Sequence, residues 1–283
     1  MRRSRGFTLV EIVVVLLIFG IVLAMAAAIT RGVVASQKRS LTATRLATVD
    51  AALVQFVMQQ RRLPCPSDGT RATTNNNAGI EDVGGGNCTA MNTGVVPWRA
   101  LGLTETEVTD GWDHRFTYRV DASLALPAGM DMTGCDPAGT EAPQAAPKSC
   151  TAGCTSTNLA ACTPPINFLS GTGSARGLTV RNLAGTILMN PAVSPGPNTG
   201  AAYVVISAGE TGGGAYNNMG ALMASTTTDG TEEAKNYNNL ALQPYYVDDT
   251  TADAAGVTHF DDVVSRPSIL SVATKAGVAP RSH

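Results

Sequence analysis

Two apolar patterns dominate the first sixty residues. From Phe7 to Ile29 only Thr8, Glu11 and Gly20 interrupt a continuous apolar run, and Ile12 to Ile29 carries no charge. At about 1.5 Å per residue this uncharged stretch makes a helix of about 27 Å, which spans most of a bilayer core. Beyond it the pattern becomes one-sided: Leu46, Val49, Leu53, Phe56 and Val57 recur at three- and four-residue spacing, with Arg45, Asp50 and Gln59 on other faces. Leu63 precedes Pro64 and is pushed out of the α region, and Pro66 follows, so the helix is expected to stop near Arg62. The chain therefore predicts one helix of about 55 residues, or about 80 Å. Residues 7–29 are its membrane-spanning half and residues 30–62 its amphipathic half.

After Arg62 the period shortens. Cys65 to Asn92, with Asn75-Asn76-Asn77 and Gly84-Gly85-Gly86, reads as polar loop. Arg115 to Val120 alternates, placing Phe116, Tyr118 and Val120 on one face of a strand, with Trp112 as the indole that anchors its start. Ile166 to Leu169, Leu178 to Arg181, Thr186 to Met189 and Ala202 to Ser207 are further short strands, with Asn182 to Gly185 as a hairpin turn. Pro267 opens a last helix through Leu270 and Ala273, which Gly277 stops. Short antiparallel strands against an amphipathic helix define an α+β class.

Composition places most of the chain outside the membrane. Residues 63–283 are long enough for one exported globular domain with its own core. Aromatic residues make up 5% and charged residues 15%, and Gly, Thr, Ala and Asn crowd the second half, which suits loop-rich extended structure. The formal charge is −2, and it becomes −5 once Arg2, Arg3 and Arg5 are removed with a leader. No basic stripe for a nucleic acid exists: Lys38-Arg39 and Arg61-Arg62 are too short.

The head of the chain carries the chemistry. A basic leader, residues 1–6, ends in Gly6, and Phe7-Thr8-Leu9-Val10-Glu11 follows. An ionised carboxylate among hydrocarbon costs several kcal/mol unless it is paired, so Glu11 calls for a partner. A secretory signal peptide normally has an apolar core of about 7–15 residues, shorter than this one. The hexapeptide Gly6 to Glu11 resembles the processing signature of type IV pilins and of type II secretion pseudopilins. The resemblance implies cleavage after Gly6 by a prepilin peptidase, N-methylation of Phe7, and pairing of Glu11 with the α-amine of a neighbouring subunit. It also implies a single-pass anchor in the bacterial inner membrane, a periplasmic C-terminal domain, and assembly with other pilin or pseudopilin subunits on an inner-membrane platform. Asp110, Trp112 and Tyr118 are similar to the turn and strand of the major pseudopilins, although Asp113 stands where that pattern has glycine. Tyr203 to Gly209 resembles the family's late strand and Ser-x-Gly turn, and Phe260 to Val264 its acidic C-terminal segment.

Six cysteines, Cys65, Cys88, Cys135, Cys150, Cys154 and Cys162, all lie beyond the membrane segment. Their even number on the exported side predicts disulfides rather than zinc, whose ligands come in tighter pairs. Cys65 with Cys88 is the economical pair, and the other four allow three pairings. Those four fall in a Pro-, Gly- and Ala-rich insertion at 121–165. Asp248, Asp249, Asp253, Asp261 and Asp262 gather hard oxygen donors of the kind calcium takes, and the resembled major subunits hold calcium in a C-terminal loop. Against this, no Asp-x-Asp-x-Asp-Gly loop is present, and acidic runs are normally solvated. No cofactor other than calcium is expected. With three histidines, no Gly-x-Ser-x-Gly elbow and no Gly-Lys-Ser/Thr after the glycines, the chain reads as a non-enzyme. The expected role is a structural subunit of a secretion pseudopilus or pilus-like filament. The alternative is an adhesin or ligand-binding module displayed on a pilin stem, with its activity in the insertion.

Overall fold

The computed structural model describes residues 9–127, 129–131, 177–191, 200–224, 230–238, 245–252 and 259–279. Gly6, Phe7, Cys135, Cys150, Cys154, Cys162, Asp253 and the strand expected at Ile166 to Leu169 lie outside them, as does most of the insertion.

One helix, α1 (Leu9–Gln60), runs for 52 residues. Its buried positions Leu46, Val49, Leu53 and Val57 form the expected stripe. Phe56 sits at the stripe's edge, with the Arg62 guanidinium 5.1 Å from its ring centre. The helix ends slightly before the expected point: Arg61 is in the left-handed region at φ 57 while its N–H still bonds Val57 O at 2.8 Å. That αL residue turns the chain, and Leu63 N–H then bonds Leu124 O, 2.9 Å away.

A five-stranded antiparallel sheet lies across the C-terminal half of α1. Its strands are β1 (Ser67–Asp68), β4 (Gly94–Val95), β5 (Thr117–Val120), β8 (Tyr203–Ser207) and β10 (Val263–Ser265), side by side in that order. Each connection between neighbours carries an excursion. The first holds a small hairpin of β2 (Val83–Gly84) and β3 (Asn87–Cys88), at the glycine run expected to be plain loop. Cys65 and Cys88 are joined, closing that excursion. Glu81 fixes its interior by accepting two bonds from Arg62, at 2.6 and 3.0 Å, and one from the Cys65 N–H at 2.7 Å. Removing this crosslink with Cys65→Ser and Cys88→Ser is expected to destabilise the domain by about 3 kcal/mol, read as a lower denaturation midpoint than that of the oxidised chain.

The excursion between β5 and β8 begins at α2 (Ala122–Ala125), capped by Asp121, whose Oδ1 accepts from the Ser123 N–H. Asp121 Oδ2 also accepts from Gly177 N–H at 2.7 Å, so the root of the insertion is closed between Asp121 and Gly177. The chain returns through β6 (Val180–Arg181) and β7 (Ile187–Met189), joined by the expected Asn182 to Gly185 turn, where Thr186 N–H bonds Asn182 Oδ1 at 2.8 Å. β6 also pairs in parallel with β9 (Tyr246–Val247), an exception to the antiparallel expectation. The last helix, α3 (Ile269–Lys275), is capped by Ser268 rather than opened directly by Pro267, and buries Ile269, Val272 and Ala273 in the α1 core.

Sheet alternation sorts β8 between two cores. Tyr203 and Val205 face α1 with Tyr118 and Val95, while Val204 and Ile206 face β6, β7 and β9 with Val180, Met189 and Tyr246. Both faces of the sheet are therefore covered. The second face also holds buried polar groups: Arg119 donates to Met91 O at 2.6 Å and Asn92 O at 3.1 Å, and Asn238 Nδ2 donates to Thr117 Oγ1 at 2.5 Å.

Candidate functional site

The stem comes first. From Leu9, 80% exposed, through Phe19, 62% exposed, to Leu23, nearly every side chain of α1 is open and apolar. A run of this kind marks a membrane or partner surface, because water penalises it along its whole length. Glu11 is exposed and lies in the first turn of α1, where the helix dipole favours an anion. The stretch Val33–Gln60 is also long and apolar enough to cross a membrane by composition. Its buried face is already covered by the sheet, which identifies that half as the domain's core helix, and the exposed apolar residues Leu9–Leu23 fit a membrane anchor.

The joint between stem and domain is built on Asp110. Its side chain is fully buried. Oδ1 accepts from the N–H groups of Trp112 at 2.8 Å and His114 at 2.9 Å, and Oδ2 from the Ser207 hydroxyl at 2.7 Å. One carboxylate thus ties the turn to β8. The turn in turn grips α1: Gly111 N–H bonds Thr42 Oγ1 at 3.0 Å, and Arg45 donates to Thr109 O and Asp110 O at 2.8 and 3.0 Å. A Cβ on Gly111 would stand 2.6 Å from Lys38 O, so only glycine lets the turn reach the helix. Burial alone lowers the His114 imidazole, but hydrogen bonding and charge from Asp110 outweigh it and leave His114 above its ordinary value.

The indole expected to anchor the sheet is not the core one. Trp112 is only half-buried, with the Lys38 ammonium 5.7 Å from its ring, and lines a cleft of about 640 Å³ with Arg45, Glu105 and Asn218. The buried indole is Trp98, 4% exposed, beneath the Arg115 guanidinium at 5.0 Å. Asp113 adopts φ 69, so the backbone keeps the left-handed conformation that glycine would hold freely. Asp113→Gly is expected to raise stability by about 0.5–1 kcal/mol, seen as a higher melting temperature.

Of the five aspartates proposed as calcium ligands, Asp253 lies outside the described residues, and the other four hold different partners. Asp248 pairs with Arg266 at 2.5 Å. Asp249 accepts from Leu183 N–H at 2.9 Å, fixing the β6–β7 turn, and these backbone bonds hold its carboxyl below the ordinary range. Asp262 accepts from Asn236 Nδ2 at 2.7 Å. Asp261 turns the other way, towards Glu233 and His259, and accepts from Thr211 N–H at 2.9 Å. Burial pushes Asp261 up to about 6 despite that bond.

An exposed apolar helix running into an antiparallel sheet domain defines an α+β fold whose stem fits a membrane anchor. Residues 1–27 match the family model described as the prokaryotic N-terminal methylation motif, the prepilin signal of type IV pilins and pseudopilins. The motif supports a type IV pilin-like protein, and it implies processing by prepilin peptidase and assembly with other pilins. No curated protein and no solved structure matches the chain.

Proposed function

We propose that this chain is a structural subunit of a type II secretion pseudopilus or a type IV pilus-like filament that supports protein export. The observation that carries the reading is the coincidence of the methylation motif at residues 1–27 with an exposed apolar stem that runs as one helix into the sheet domain. In this reading Gly6 is the cleavage residue, Phe7 the methylated one and Glu11 the assembly residue. The domain stands in the periplasm, the stem is drawn from the inner membrane by an assembly platform, and the chain is not an enzyme.

The mechanics follow from α1. Force applied at the stem passes through the helix to the Asp110 joint and the disulfide-closed loop rather than through a flexible linker. A subunit that must leave the bilayer and stack needs that stiffness. The experiment is deletion of the chain from its host, with export and surface fibres scored separately. Loss of export or of fibres, restored by the wild-type chain but not by one lacking residues 7–29, supports a filament role. Unchanged export and unchanged fibres contradict it.

A further inference from the structure

Three donor side chains that the assembly role does not use meet behind the sheet. Glu233 opens the 3-10 turn Glu233–Asn236, and His259 and Asp261 flank Phe260 ahead of β10. They are 1%, 9% and 3% exposed, and one ligand atom from each lies within 4.8 Å of the others. His259 Nδ1 is 2.9 Å from Glu233 Oε2.

The surroundings hold these groups in place. Glu233 accepts from Gly230 N–H at 2.9 Å and from Asp261 N–H at 2.8 Å. Asp261 accepts from Thr211 N–H at 2.9 Å and from the Thr211 hydroxyl at 3.1 Å. Gly209, in the Ser-x-Gly turn after β8, sits so close that a Cβ would meet Asp261 Oδ1 at 2.6 Å. A Cβ on Gly230 would stand 2.2 Å from His259 O. Gly209 and Gly230 thus let two loops close onto one carboxylate–imidazole cluster, and donors from the backbone and Thr211 orient the carboxylates as an outer shell orients metal ligands.

The charges of the cluster favour a cation. Two carboxylates this close and this buried repel each other, and one imidazole supplies at most a single positive charge. We infer that Glu233, His259 and Asp261 form a site for a zinc-class divalent cation that staples the 209–211, 230–236 and 259–262 segments together. The donor set selects the metal. Imidazole nitrogen with two carboxylate oxygens suits zinc, whose bonds are about 2.0–2.2 Å, so a small closure of the three side chains brings them to bonding distance and leaves the fourth tetrahedral position to water. Calcium takes about 6–8 oxygens and gains little from a histidine. The site is separate from the Asp248 to Asp262 carboxylate run, of which only Asp261 takes part.

The test uses the full-length, tag-free chain in detergent, stripped with chelator and titrated with Co²⁺ and then Zn²⁺. One equivalent of Co²⁺ should give a visible band without a thiolate charge-transfer band, and Zn²⁺ should displace it and raise the melting temperature. His259→Asn should lose the band while His114→Asn keeps it. Thr211→Val, which removes one outer-shell donor, should weaken binding by about 10- to 100-fold. A thiolate band, full binding by His259→Asn, or stabilisation by Ca²⁺ but not Zn²⁺ would overturn the inference. If His259→Asn does not fold, the wild-type titration decides alone, since a folded chain whose melting Zn²⁺ leaves unmoved also overturns it.

Discussion

Asp110→Ala is expected to cost the domain about 3–5 kcal/mol, a large share of the roughly 5–15 kcal/mol that holds a typical domain folded. The carboxylate receives the Trp112 N–H, the His114 N–H and the Ser207 hydroxyl, and alanine leaves all three without their acceptor. Each orphaned buried donor costs about 1–3 kcal/mol, with the half-exposed Trp112 amide at the low end. Asp110→Asn keeps an oxygen for both amides, and the serine hydroxyl can rotate to accept from the new NH₂, so it should cost about 1 kcal/mol. Urea denaturation of the full chain in detergent separates them. A drop in midpoint with an unchanged slope is the expected form, and an Asp110→Ala midpoint equal to wild type would remove Asp110 from the joint.

Glu11→Ala should leave anchoring and folding intact while abolishing filament incorporation. The substitution makes the stem more apolar, so membrane insertion becomes easier. On the proposed pairing, assembly loses one partner of a desolvated charge pair, a loss of about 2–5 kcal/mol per subunit. At about 1.4 kcal/mol per tenfold, this lowers incorporation by about 30-fold or more. Immunoblots of sheared filaments against membrane fractions measure it. Wild-type levels of the alanine variant in the sheared fraction would contradict the role given to Glu11.

The features legible in the sequence are those set by local rules. The Leu46, Val49, Leu53, Val57 stripe, the stop before Pro64, the Asn182 to Gly185 turn and the Gly277 stop each follow from a few adjacent residues. Cys65 and Cys88 were legible as a pair because the loop between them is short. Two features of local origin still escaped. The Gly84 to Gly86 run makes a hairpin tip rather than plain loop, and Arg61 ends α1 in a conformation that glycine more often occupies.

What was hidden depends on distant contacts. Nothing near Trp98 and Trp112 tells which indole is buried; the difference is made by Gly79 and Arg115, which close over Trp98. Arg119 and Asn238 are polar by type, yet both are buried, and the carbonyls of Met91 and Asn92 and the hydroxyl of Thr117 satisfy them in the interior. The parallel β6–β9 pairing joins segments more than sixty residues apart. Glu233 lies 26 residues from His259, and no spacing rule joins them. The signal available was weak: a histidine two residues ahead of the pair Asp261-Asp262 near the end of the sequence.

N-terminal mass analysis of the chain recovered from its host's membranes tests the central claim most directly. A mature protein that begins at Phe7 and carries one added methyl group is the result this account predicts. A chain that still begins at Met1, or one cut after Ala28 as an ordinary signal peptide would be, contradicts it.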